Sequence, residues 1–279
     1  MSNPIEQVDR ELIRTWGLPD PGDSKKSRGE VVVVGGSRRS PGAVLLAGEA
    51  TLRVGAGRLG LAVPGSVEAI LGVALPEAAV FTLPARATDP LPDRLLEQVE
   101  AADAVLVGPG FDHPEETRGT ILAVASTGPR VLVLDAYAIG VLPGIERDRL
   151  PKALVLNVNT DEASILLGRA VQTVDVEGVR EIARRYQAVV NCYGTVATED
   201  GECWRVMAGG PGLGTSGSGD VLAGAITGFA ARGVQPSRAA VWGSWVHARA
   251  GDRLSERVGL GFLARDLAPE LTLALAEVA

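Results

Sequence analysis

Val31-Val32-Val33-Val34, a run of β-branched residues that ends on Gly35-Gly36, is the feature that most narrows what this chain can become. A strand with one wet face alternates apolar and polar residues. A strand that is apolar at every position is covered on both faces, which points to the inside of a parallel sheet. Helix-forming residues occupy 42–54, so strand, glycine turn and helix open a βαβ unit. The pattern recurs at 58–63, which ends in Pro64-Gly65 with Ser66 placed to cap a short helix. It recurs again at 104–107, ending in Gly108-Pro109-Gly110, at 131–134, ending at Asp135, at 153–156, ending at Asn157, and at 188–191. Strands alternating with helices predict an α/β fold of three layers, a central, mainly parallel sheet with helices on both faces. In such sheets ligands bind outside the carboxyl ends of the strands, so these polar and glycine-rich ends are expected to share one crevice.

The rest of the chain is read around that frame. Residues 196–205 form a hairpin with Asp200-Gly201 as its turn. Residues 1–28 are a polar lead-in with a short amphipathic helix over 9–16 and a turn cluster at 19–23. No linker-like stretch or internal repeat interrupts the sequence, so a single domain over 1–279 is expected. The net charge of −7 opposes a nucleic-acid surface, which needs a basic stripe, but not a nucleotide ligand, which a few backbone amides can hold. Two cysteines, Cys192 and Cys203, give neither a disulfide framework nor zinc spacing and are expected to be reduced packing residues. The polar start and the short, interrupted apolar runs predict a cytoplasmic protein with no membrane segment.

The strongest chemical signal is the stretch from Gly212 to Gly224, which contains Gly217-Ser218-Gly219-Asp220 and runs into an apolar helical segment reaching Ala231. A glycine-rich turn feeding a helix offers free N–H groups in the favourable field of the helix dipole, an anion site. Asp220 falls in the first helical turn, where a carboxylate can take a proton from a hydroxyl attacking a bound phosphate. The simpler alternative is that Ser218 or Asp220 only caps the helix. Glycines interleaved with Ser and Thr favour the anion site.

Gly217-Ser218-Gly219-Asp220 resembles the anion hole of the ribokinase-like superfamily, and the wider sequence resembles the ADP/ATP-dependent NAD(P)H-hydrate dehydratase family. That likeness runs through Val32 to Ser37, Pro41-Gly42-Ala43, Arg53 to Gly57, Pro76-Glu77, Gly108-Pro109-Gly110, Asp135-Ala136, residues 157–168, Gly194-Thr195, His247 to Asp252 and Leu263 to Leu267. It implies a ribokinase-like fold and a repair reaction. A phosphoryl group passes from ADP or ATP, with Mg2+, to a hydroxyl on the ring of hydrated NADH or NADPH. Phosphate then leaves and the ring double bond returns. The resemblance implies Asp220 as the catalytic base and Gly217, Ser218 and Gly219 as the anion hole. It places Asn191, Cys192, Tyr193, Gly194, Thr195 and Gly219 at the nucleotide, and Ala43, Gly110, Asn159 and Asp220 at the hydrate. Glu162 is implied to reach the metal through water, and the assembly to be a homo-oligomer, a tetramer.

Local readings stand beside these. Ala43 can serve helix–sheet packing, and Asn159 or Thr160 can cap a helix with Glu162 as its box partner. Asp135 ends a buried strand and either faces the cleft or caps a helix. His247, in an apolar helical segment, reads as a core or interface residue. The chain departs from the family pattern at Thr160, where a His is common, at Asn191-Cys192, where Lys-Gly is common, and at Tyr137, where an acid is common. Asn191 either leaves the nucleotide phosphates one positive charge short or ends its strand pointing away from the cleft. A small-molecule kinase of the same superfamily and an inactive nucleotide-binding paralogue are the alternative functions.

Overall fold

The computed structural model describes residues 3–278. Ten strands form one sheet in the order β1-β10-β9-β8-β7-β6-β5-β2-β3-β4. The parallel part consists of β2 (Glu30–Val34), β3 (Arg58–Val63), β4 (Ala78–Thr82), β5 (Ala104–Val107), β6 (Leu132–Leu134), β7 (Leu154–Val158) and β8 (Val189–Cys192). β9 (Thr195–Ala197) runs antiparallel to β8 and to β10 (Cys203–Val206). The valine run does what its pattern predicts. Val31 and Val33 enter one apolar core, Val32 and Val34 the other, and all are at most 1% exposed.

One face carries α2 (Gly42–Arg53), α9 (Ser218–Ala231), α10 (Pro236–Val258) and α11 (Ala264–Ala276). The other carries α4 (Asp93–Ala101), α5 (Pro114–Ser126), α6 (Tyr137–Val141), α7 (Thr160–Leu167) and α8 (Val176–Tyr186). α2 and α9 lie close because Gly224 and Gly228 of α9 have no side chains; a Cβ on Gly224 would strike the Ala47 carbonyl. That close packing sets the start of α9 against the start of α2.

Several expectations are corrected. The lead-in contains β1 (Ile5–Val8), which pairs in parallel with β10, ahead of the expected helix α1 (Arg10–Trp16), capped by Asp9. β4, which the sequence pattern does not predict, is an edge strand with two exposed and three half-buried residues. Ser66 does not cap the next helix; α3 (Glu68–Ala74) starts after Val67 without a side-chain cap. Between β8 and β9 lies a second hairpin, whose two-residue loop Tyr193-Gly194 has φ of 47° and 78°. Positive φ at both positions is the geometry of a tight two-residue hairpin turn. Among the described residues, no helix is long and apolar enough to cross a membrane.

Candidate active site

The carboxyl ends of β6, β7 and β8 and the start of α9 surround a cavity of about 530 Å3. Its lining includes Asp135 after β6, Asn157 and Asn159 at the end of β7, Glu162 in α7, Tyr193-Gly194, the turn from Leu213 to Asp220, and His247 of α10. Of the strand ends that the sequence singled out, Asp135, the segment from Asn157 to Glu162 and the turn Tyr193-Gly194 meet here, whereas Gly35-Gly36 and Gly108-Pro109-Gly110 do not line this cavity. No lysine or arginine lines the cavity among the described residues.

Gly217 starts α9 with φ of 91°, and a Cβ there would lie 2.5 Å from Leu46 Cδ1, so both backbone and space require glycine. Ser218 N–H donates to the Thr215 carbonyl at 3.2 Å, and Val221 N–H to the Gly217 carbonyl at 3.2 Å. Between them, the N–H groups of Gly219 and Asp220 have no acceptor among the described residues. Of the residues expected to form the anion hole, Ser218 spends its N–H inside the turn, whereas the N–H groups of Gly217 and Gly219 have no acceptor among the described residues. Gly219 faces open space: a Cβ there would meet nothing within 4 Å. The Ser218 hydroxyl lies 3.0 Å from His247 Nε2, both side chains being buried. Burial pushes His247 down to about 4, so its ring is neutral at ordinary pH. His247 is a core residue, as its apolar helix suggested, but it also lines the cavity and holds the turn. Sequence spacing gave no sign of this contact, because 29 residues separate the partners.

Three carboxyl groups face one another across this space. Burial raises Asp220 to about 7. Desolvation raises it although the start of a helix favours the charged form of a carboxylate. Glu162 also rises to about 7, through burial and the charges of Asp161 and Asp220, against the lowering hydrogen bond from Asn159 N–H. Asp135 is held well above the usual carboxylate range by burial and by the charges of Glu162 and Asp220. Asn159 caps α7 in a full capping box: its side chain accepts from Glu162 N–H at 2.9 Å, and Glu162 Oε2 accepts from Asn159 N–H at 2.9 Å. The box leaves Glu162 Oε1 available.

Asp135 is fixed from below by a chain of hydrogen bonds. Ser244 Oγ donates to Asn191 Oδ1 at 2.9 Å, Asn191 Nδ2 to Asn157 Oδ1 at 2.7 Å, and Asn157 Nδ2 to Asp135 Oδ1 at 2.8 Å. Asn191 is 0% exposed and does not line the cavity. The structure thus puts it under the floor rather than in the cleft, with both its amide oxygen and its amide nitrogen hydrogen-bonded. Cys192 packs into the core on the opposite face, and Thr195 is buried in β9; neither lines the cavity. Burial pushes the Cys192 thiol up to about 12. Of the expected nucleotide contacts, Tyr193, Gly194 and Gly219 reach the cavity. Ala43 and Gly110 sit outside it and against each other; a Cβ on Gly110, whose φ is 76°, would lie 3.1 Å from Ala43 Cβ.

The donor set suits magnesium held partly through water. No group of three or more His, Cys, Asp or Glu side chains among the described residues is placed to hold a metal alone. Yet a phosphate chain entering a cavity with three carboxyl groups and no basic side chain needs a cation to offset the repulsion. Mg2+ keeps several waters and binds through one or two carboxylates plus phosphate oxygens. Glu162 and Asp135 are the groups present for that role.

Residues 31–273 match a family described as NAD(P)H-hydrate dehydratase. The chain is 41% identical to an ADP-dependent (S)-NAD(P)H-hydrate dehydratase of Xanthomonas campestris, over 96% of this chain and 95% of that one. It also spans about half the length of longer relatives described as bifunctional NAD(P)H-hydrate repair enzymes, 46% in one at 36% identity. In structure it is similar to the ADP/ATP-dependent NAD(P)H-hydrate dehydratase of Bacillus subtilis co-crystallised with ATP and Mg2+. That match has TM-score 0.85 and 24% identity, and covers 99% of each chain. The fold is ribokinase-like: a ribokinase of Arabidopsis thaliana matches with TM-score 0.60 at 13% identity, over 90% of this chain and 98% of that one.

Proposed function

The chain belongs to the NAD(P)H-hydrate dehydratase family, and from that membership and its site we propose that it dehydrates hydrated NADH or NADPH at the expense of ADP or ATP. The observation that carries this reading is the pairing of Asp220 with the free N–H groups of Gly219 and Asp220 at one cavity wall. A base and an anion site in contact are what phosphoryl transfer to a hydroxyl requires.

Asp220 takes the proton of the ring hydroxyl as its oxygen forms a bond to the terminal phosphorus of the donor. The donor leaves one phosphoryl group shorter, AMP from ADP or ADP from ATP. A carboxyl group that titrates near 7 is suited to this step, because a base works best when its pKa lies near the working pH. The N–H groups at the start of α9 receive the charge on the transferred oxygens, and His247 keeps the turn in place through Ser218. The ring C–O bond then breaks, phosphate carries off the electron pair, and loss of a proton from the neighbouring carbon restores the double bond. Magnesium, bound near Glu162 and Asp135, would offset the phosphate charge. Tyr193, 72% exposed on its strained turn with its hydroxyl accepting from Thr160 N–H at 3.4 Å, borders the opening where a nucleotide base would lie.

Support for one domain comes from the single sheet, which β1 joins to the lead-in. Support for a homo-oligomer comes from α3, where Ile70 and Val73 are 68% and 83% exposed. Incubation with hydrated NADPH and ADP or ATP tests the reading: restored ring absorbance with release of inorganic phosphate supports it. A stable phosphate ester would instead make the protein a kinase, and no reaction with any nucleotide an inactive relative.

A further inference from the structure

A second cavity, of about 380 Å3, opens on the same edge of the sheet, beyond the carboxyl ends of β2, β3, β4 and β5. Strand order makes it the neighbour of the first, which lies over β6, β7 and β8. The first turns of α2 stand between them. Ala43 meets Gly110 and, through it, Gly36 on the wall of the second cavity; Leu46, one turn on, meets Gly217 on the wall of the first. Gly36 N–H donates to the Pro109 carbonyl at 2.7 Å and closes the ridge.

The reaction proposed above joins a mononucleotide donor to a dinucleotide acceptor. A space of about 530 Å3 is an ordinary size for one small-molecule ligand, not for all three nucleotide units. With the hydrated ring beside Asp220 and the donor phosphates on α9, the other half of the dinucleotide must leave the first cavity. The second is the recess next to it.

Its chemistry narrows what it takes. Arg38 and Arg39 line it, are exposed, and make no hydrogen bond or ion pair among the described residues. Ser37, 7% exposed, accepts from Ser40 N–H at 3.2 Å and has its own hydroxyl proton unspent. His113 is a further donor. Asp112 and Glu116 also line the cavity, so it is not an undifferentiated basic patch. Two unpaired guanidinium groups beside a buried hydroxyl suit a phosphomonoester, which arginine binds through paired hydrogen bonds. Resting on the dehydratase reading, we propose that this cavity holds the adenosine half of the substrate and that Arg38 and Arg39 read the ribose 2′-phosphate that distinguishes the hydrate of NADPH from that of NADH.

The test uses the full chain with saturating ATP and Mg2+, so that the donor position is filled. Adenosine 2′,5′-bisphosphate is titrated by calorimetry against wild type and against R38A/R39A. Both arginines are exposed, so the variant keeps its melting temperature. We expect about a 10-fold or larger loss of affinity in the variant, the usual worth of one or two charge-assisted bonds. The ratio of kcat/KM for NADPH hydrate over NADH hydrate falls by a similar factor. Unchanged affinity and an unchanged ratio would overturn the proposal. So would equal or tighter binding of adenosine 3′,5′-bisphosphate, which would assign the cavity to a different phosphorylated adenosine. A wild type that turns over neither hydrate removes the dehydratase reading and leaves the calorimetry to decide on the cavity.

Discussion

Asp220 is a half-buried acid whose folded-state pKa, about 7, stands above the ordinary carboxylate value of 3.8. The folded protein therefore binds the Asp220 proton more tightly than the unfolded chain does. That contribution to stability is full below the ordinary value and is lost as pH rises through about 7. Catalysis runs the other way, since the base works only when deprotonated. Turnover is expected to rise as pH passes through about 7 and then level off. Asp220→Asn is expected to lower kcat by about 100-fold or more with nucleotide affinity kept. The same variant should be more stable than wild type at pH 8, by more than about 1 kcal/mol, in thermal or denaturant melts. Near-normal turnover in it would remove the base. Asn191 shows the opposite case, a residue wholly committed to structure. Placing lysine there would bury an ammonium among groups already paired, so Asn191→Lys is expected to cost about 3 kcal/mol or more in a denaturant melt. A stable variant with tighter nucleotide binding would show instead that the side chain reaches the cleft.

The element that concentrates the chemistry is the turn entering α9, and its two central glycines have different jobs. Gly217 needs positive φ and is pressed by Leu46, whereas Gly219 has open space in front of it. Gly217→Ala is therefore expected to lose about 1–3 kcal/mol of stability, measured by denaturant melting. Gly219→Val is expected to fold and to lose nucleotide binding by calorimetry, because its side chain would fill the path of a phosphate. Unchanged affinity in a folded Gly219→Val would place the phosphates elsewhere. At this scale much was legible in the sequence. The runs at 31–34 and 104–107 read as strands because they are apolar on every residue, and Asn159 with Glu162 read as a capping box because the spacing is local. β1, with Glu6 and Gln7 on an exposed edge, carries no such pattern. The direction in which the Asn191 side chain points was not legible either. A one-residue change of strand register reverses it, and its partners Asn157 and Ser244 lie 34 and 53 residues away.

Across the whole molecule, one edge of the sheet gathers both cavities, and the close packing of α2 on α9 sets the ridge between them. The sequence predicted that the strand ends would share a crevice. It did not predict two recesses, since the division comes from α2 and α9 touching across more than a hundred residues of chain. Nor did it predict that the larger recess would lack basic side chains; on the proposed reading, backbone N–H groups and a cation would hold the phosphates there. The central claim is that these parts together perform phosphoryl transfer followed by loss of phosphate. The most direct measurement follows ring absorbance and inorganic phosphate together, with hydrated NADPH, Mg2+ and ADP or ATP. The account predicts that the reduced ring returns and that one phosphate appears per ring restored. A phosphorylated hydrate that persists with no phosphate released, or a ring that stays hydrated with either nucleotide, would contradict it.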